Sequence, residues 1–170
     1  MSSQNTRALG IDTALRCTGV AVVDLAGSRY SVVEYGLLKN PASLSLSECL
    51  TRLHRGLSEL IERTRPVAAS IEGAFFHQNI KTAMTLGQAR GVAIAACSGL
   101  GVPVYEYAPR RVKQAVVGIG SAEKDQVRKM VMSLLAMSQE PPEDAADALA
   151  LAICHLHNCS GHVALMPKPI

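Results

Sequence analysis

The apolar and polar positions change rhythm several times along the chain. Residues 7–11 form a short apolar run, and residues 18–25 a second, both of strand length. Residues 29–39 alternate around Tyr30, Val32 and Val33, and Ala26-Gly27-Ser28 between the second and third runs is a hairpin signal. Over residues 46–65 the period lengthens. Leu46, Leu50, Leu53, Leu57, Leu60 and Ile61 fall on one helical stripe, which Pro66 ends. Residues 67–71 read as a buried strand, 79–97 as a helix rich in small residues with Gly87 and Gly91 on one side, and 102–107 as a last strand. Helices over 109–117, 122–137 and 144–155 complete the series. Three early strands joined by short turns can pair antiparallel, and later strands alternating with helices should be parallel. The expectation is an α/β chain with a five-stranded mixed sheet and helices on both faces.

The chain has 170 residues, 48% of them hydrophobic, which suits one well-buried core better than two. We therefore expect a single domain over 1–159 and a flexible tail over 160–170. Charged residues make up 18%, and the formal net charge of +3 permits a nucleic-acid partner without requiring one. Five scattered cysteines and no visible leader point to the cytoplasm rather than to a disulfide scaffold. No uncharged apolar run reaches the roughly 20 residues of a membrane helix.

Of the 14 acidic residues, most sit on polar helix faces or at helix starts. Asp12 after ALGI, Glu72 after AASI and Asp147 within AADALALAI have apolar surroundings instead. A carboxylate so placed is costly unless it is paired or coordinates a metal. Asp12 and Glu72 emerge at one sheet edge if their strands are parallel neighbours, the edge where open α/β sheets bind ligands. Asp144 and Asp147, three apart, share a helix face. Four converging carboxylates favour a hard divalent cation such as Mg²⁺ or Mn²⁺. Taken singly, Asp12 also fits a turn residue and Asp144 a helix cap.

The segments GIDTALRCTGVAVVD, SIEGAFFHQN, TLGQARGVAIAA, VYEYAPRRVKQAVVGIGSAEKDQV and EDAADALALAICHLH together resemble RuvC, the bacterial Holliday-junction resolvase family, over residues 8–157. The resemblance implies a ribonuclease H-like fold, which the element order also suggests. It implies a homodimer that nicks two strands of like polarity symmetrically at a four-way DNA junction, in recombination and repair, beside the RuvA and RuvB branch-migration proteins. The family's catalytic acids fall on Asp12, Glu72, Asp144 and Asp147. The expected chemistry is two-metal phosphodiester hydrolysis with Mg²⁺, for which Mn²⁺ can substitute, and with Asp12 bridging the ions. Two departures stand beside these acids. The family's GIDPG reads GIDTA here, and Gly73-Ala74 replaces the usual Gln-Val after Glu72.

Phe75 and Phe76 are the only phenylalanines, and they follow Glu72 closely. The resemblance puts the family's base-contacting aromatic on Phe75, although either ring could instead fill the core. Arg110, Arg111, Lys113, Lys124, Arg128 and Lys129 hold more than a third of the 17 basic residues in a short span, a candidate phosphate-binding face or a solvated helix surface. Lys113 and Lys124 match family residues near the scissile phosphate, while Lys81 and Arg16 are weaker DNA candidates. The small residues of 79–97 suit a dimer interface or packing on the sheet. Cys154, His155, His157 and Cys159 crowd one stretch, but their spacing fits no standard zinc module. Three rival readings remain open: a nucleotide-binding domain of the actin-like kind, a related nuclease acting on other branched DNA, and a non-catalytic junction-binding protein.

Overall fold

The computed structural model describes residues 6–73, 79–160 and 167–170. Strands β1 (Thr6–Asp12), β2 (Cys17–Ala26) and β3 (Arg29–Lys39) come first, followed by α1 (Leu46–Thr64), β4 (Ala68–Glu72), α2 (Ile80–Gly99), β5 (Val104–Tyr107), α3 (Pro109–Val117), α4 (Lys124–Leu134) and α5 (Glu143–Ser160). The sheet order is β3-β2-β1-β4-β5. β1, β2 and β3 pair antiparallel, while β4 joins β1 and β5 joins β4 in parallel. This is the mixed five-stranded sheet expected from the sequence.

The two-residue period of the strands sorts their side chains to two cores. Leu9, Ile11, Val20, Val22, Ala69 and Ile71 pack under α1 and α2. Ala8, Ala21, Val23 and Tyr107 pack under α3, α4 and α5. Helices thus cover both faces. α5 is apolar almost all round because it lies on β1 and β2 and is itself covered by α3 and α4.

Several boundaries move by local chemistry. α1 opens on a Ser45–Glu48 capping box and stops at Thr64, because Arg65 turns to left-handed backbone, φ 51°, ahead of Pro66. α2 begins at Ile80 with the Asn79 side chain accepting from the Thr82 N–H at 3.0 Å. β5 is two residues shorter than expected, since Pro103 cannot donate within a ladder and Val102 turns back on the end of α2. α5 runs on to Ser160, five residues past its expected end. Of the expected tail, residues 161–166 lie outside the described residues, and the Ile170 N–H donates to the Val104 carbonyl at 2.9 Å.

Candidate active site

Asp12 and Glu72 are the last residues of adjacent parallel strands, one step past the Ile11–Ile71 pair. Asp12 shares the strand parity of Ala8 and Gly10, the face that α5 covers. On that face the backbones of helix and sheet nearly touch. A Cβ at Gly10 would lie 1.9 Å from the Ala148 carbonyl oxygen, and one at Gly19, which pairs with Asp12, 1.9 Å from the Asp144 carbonyl oxygen. Only glycine fits at either contact. These two residues seat the first turns of α5 on the sheet and bring Asp144 and Asp147 to Asp12. Residue-by-residue reading of the acids passed over them, although a glycine inside an apolar strand is itself a sign of close backbone approach.

Asp12, Glu72, Asp144 and Asp147 line one cleft of about 370 Å³ together with Lys113 and Lys124. The cleft electrostatics are strained. Burial, then the charges of Asp147, Glu72 and Asp144, push the Asp12 carboxyl up to about 7. Glu72 is exposed as a residue, yet partial burial of its carboxylate and the charge of Asp147 raise it, against Lys124. Asp147 is raised by burial, and Lys124 opposes this too. The Lys124 ammonium lies 2.9 Å from Glu143 Oε1 and 3.5 Å from Asp147 Oδ2, so it offsets only part of the negative charge.

This donor set fits a hard divalent cation: four carboxylates from two strand ends and one helix face, already under mutual repulsion. Among the described residues no three His, Cys, Asp or Glu side chains stand gathered as a ready ligand group. The four acids line the cleft without closing on a common point.

The turn after Asp12 forms without proline or glycine. Thr18 Oγ1 donates to the Ala14 carbonyl at 2.5 Å and accepts from the Ala14 N–H at 3.3 Å. Asn40 Nδ2 donates to the Leu15 carbonyl at 2.7 Å. Neither Thr13 nor Ala14 needs a positive φ. Arg16, a weaker DNA candidate, spends its Nη1 on the Pro41 and Leu44 carbonyls.

The basic residues divide. Lys113 and Lys124 reach the cleft, and Lys81 lines a separate depression with Ala14, Leu15 and Thr82. Arg110 and Arg111 do not line the cleft; Arg110 covers Gly120, and Arg111 donates to Asn158 Oδ1 at 2.6 Å. Arg128 pairs with Asp125 and Glu140, and Lys129 with Asp125. The six bases are therefore not one free face. Phe75 and Phe76 lie outside the described residues. His155 meets the Tyr107 hydroxyl at Nδ1, 2.9 Å away, and Cys159 Sγ at Nε2, 3.3 Å away.

The family profile "Crossover junction endodeoxyribonuclease RuvC" matches residues 8–155. The chain belongs to the crossover junction endodeoxyribonuclease RuvC family. It is 49% identical to the RuvC of Halorhodospira halophila over 155 residues, 91% of this chain and 92% of that one. It is 48% identical to the RuvC of Chloroflexus aggregans, covering 89% and 93% of the two chains. Thermus thermophilus RuvC in complex with a Holliday-junction substrate superposes with a TM-score of 0.90 at 32% identity, over 97% of this chain and 99% of that one. Such superposition over a whole RuvC chain makes the ribonuclease H-like fold that of this protein. The departures at Thr13-Ala14 and Gly73 are then local variations within a RuvC frame.

Proposed function

We propose that this protein resolves four-way DNA junctions by paired symmetric nicks, hydrolysing phosphodiesters with Asp12, Glu72, Asp144 and Asp147 as metal ligands. The observation that carries the reading is the convergence of these four carboxylates on one cleft in a RuvC family chain. Bound there, two Mg²⁺ ions, or Mn²⁺ in their place, would activate the attacking water and steady the leaving 3′ oxygen.

The chain's own residues do the rest. Asp12 ends β1 beside Glu72 of β4 and under α5, and feels the charges of all three other acids, so it is the carboxylate best placed to be shared between ligand sets. Lys113 and Lys124 bring positive charge to a phosphate entering the cleft and hold it against the acids. Lys124 can leave Glu143 and Asp147 for that phosphate at small cost, because exposed ion pairs contribute little. Lys81 would hold a phosphate beside the Ala14-Leu15 turn. Arg110 and Arg111 would take phosphates farther from the cut, and Phe75 would stack on an unpaired base at the crossover.

The working form is a homodimer built on α2. Ile80 and Met84 are 76% and 63% exposed on this helix. Gly87 and Gly91 continue their stripe, and among the described residues nothing lies within 4 Å of a Cβ at either glycine. An exposed apolar stripe that narrows to glycine suits a second copy of the same helix. RuvA and RuvB are the expected partners on the same junction, and the cytoplasm the expected compartment. Among the described residues no helix is long and apolar enough to cross a membrane.

Incubation with a synthetic four-way junction and Mg²⁺, with nicks mapped on all four strands, tests the reading. Two symmetric nicks on strands of like polarity are expected, and none after chelation. Equal nicking of linear duplex would point to a nuclease of other specificity. Junction binding without nicking would point to a structural role.

A further inference from the structure

The end of β4 is held from outside the sheet. The Gly73 N–H makes the last bond to β5, donating to the Tyr107 carbonyl at 2.8 Å. The Glu72 carbonyl has another partner, Arg90 Nη1 from α2. The second arm of the same guanidinium, Nη2, donates to the Glu106 carboxylate of β5. The Arg90 side chain is only 14% exposed, so its charge needs the Glu106 anion beside it. Glu106 Oε1 also lies 3.2 Å from where a Cβ on Gly73 would stand, so the pair fills the space beside the strand exit.

This arrangement bears on Glu72 itself. A peptide unit is planar, so holding the Glu72 carbonyl fixes the plane that leaves its Cα and limits which way its side chain can aim. Asp12 is flanked by β2 and β4, but Glu72 has only the four-residue β5 on its outer side. Neither Arg90 nor Glu106 lines the cleft. We infer that Arg90 and Glu106 form a positioning pair that fixes the Glu72 backbone and so directs its carboxylate into the cleft. The inference rests on Glu72 being a metal ligand, as proposed above. Two acceptors in different directions require the planar fork of arginine, and a lysine ammonium can serve them only in part.

The test uses Arg90→Met, Arg90→Lys and Glu106→Gln in the full chain, with Glu72→Gln beside them. Calorimetry reads Mg²⁺ affinity, gel shift without metal reads junction affinity, and single-turnover cleavage reads rate. Loss of a hydrogen bond that orients a ligand costs roughly 10–100-fold in metal affinity or activity. Arg90→Met is expected to weaken Mg²⁺ binding and slow cleavage in that range, with junction affinity unchanged. Arg90→Lys should recover part of the loss, and Glu106→Gln should show a smaller loss of the same kind. A folded Arg90→Met protein with wild-type Mg²⁺ affinity and rate overturns the inference. If Arg90→Met does not fold, the near-isosteric Glu106→Gln decides, and wild-type Mg²⁺ affinity and rate in that variant overturn it. Glu72→Gln separates the two levels. Should it keep wild-type Mg²⁺ affinity, the metal-site reading fails. Should it lose affinity while the Arg90 and Glu106 variants keep theirs, only the positioning pair fails.

Discussion

Asp12 ends a strand, faces a helix and shares its cleft with three other acids, and its protonation bears directly on the metal-free protein. Its carboxyl is pushed from 3.8 to about 7, with Glu72 and Asp147 raised in the same direction. Below the lower value the Asp12 carboxyl holds its proton whether folded or unfolded. Between the two, the unfolded chain releases a proton that the folded one keeps, so rising pH favours unfolding until about 7. His155, pushed down to about 4 by burial, works the other way over much of the same range, because the unfolded chain holds a proton there that the folded one has lost. As pH climbs through this window, chelated wild type should therefore lose thermal stability relative to chelated Asp12→Asn, and Mg²⁺ should stabilise the wild type above it. Mg²⁺ affinity should rise through the same window, since protons compete for the ligand. Melting curves of wild type and Asp12→Asn over a pH series, with and without Mg²⁺, check both, and chelated profiles of equal slope would contradict them. Asp12→Asn should remove cleavage to background while keeping junction affinity in gel shift, because Asn keeps the shape and loses the anionic ligand. Asp12 and Glu72 were legible because a carboxylate at the end of an apolar run is conspicuous, Asp147 because it interrupts one, and Asp144 through its spacing from Asp147. Arg90 was not, because its partners Glu72 and Glu106 lie on other elements, 18 and 16 residues away. Arg128 is the opposite case, since the distant Glu140 pairs with a charge that a linear reading left open between DNA and solvent.

At the scale of elements, the helix that brings the second pair of acids matters most. α5 crosses β1 and β2 at Gly10 and Gly19, and any side chain there must push its backbone away. Gly19→Ala should lower stability by about 1–3 kcal/mol, the usual cost of forcing a methyl into a packed contact. Because the clash is with Asp144 itself, it should weaken Mg²⁺ binding as well as melting temperature. Ala115→Gly, in the half-buried part of α3, should lower stability by about 1 kcal/mol without that metal effect. Equal Mg²⁺ affinity in the wild type and Gly19→Ala would show that α5 is not seated by this contact. The strands and helices α1, α3 and α4 could be read from hydrophobic period, because each strand is either continuous or alternating and each of these helices has a clear stripe. α2, apolar on its exposed side as well as its buried one, has no such stripe and was legible only as a long run of small and apolar residues between breakers. Boundaries moved where a proline or a cap intervened, as at Arg65, Asn79 and Val104. α5 ran longer than read because its apolar residues go almost all round, so periodicity gave no stop.

For the whole molecule, symmetric cutting demands two clefts in fixed relation, and α2 is the element through which the protein would secure it. The exposed Ile80–Met84 stripe runs on through Gly87 and Gly91, so a long charged side chain at the latter would keep a second copy away. Nothing on the chain's own fold opposes such a side chain, because no described atom lies within 4 Å of a Cβ there. Gly91→Arg should therefore fold, bind Mg²⁺ as the wild type does, and sediment as a monomer at micromolar concentration. On a four-way junction it should yield single nicks in place of pairs, because one subunit presents one cleft. Mixed dimers of wild type and Asp12→Asn supply the complement. They keep the interface, lose one cleft and should also leave one nick per junction. If Gly91→Arg remains dimeric and cuts in pairs, α2 is not the interface. If it becomes monomeric and still cuts in pairs at wild-type rate, the two nicks do not depend on a shared dimer, and the link between α2 and symmetric resolution is broken.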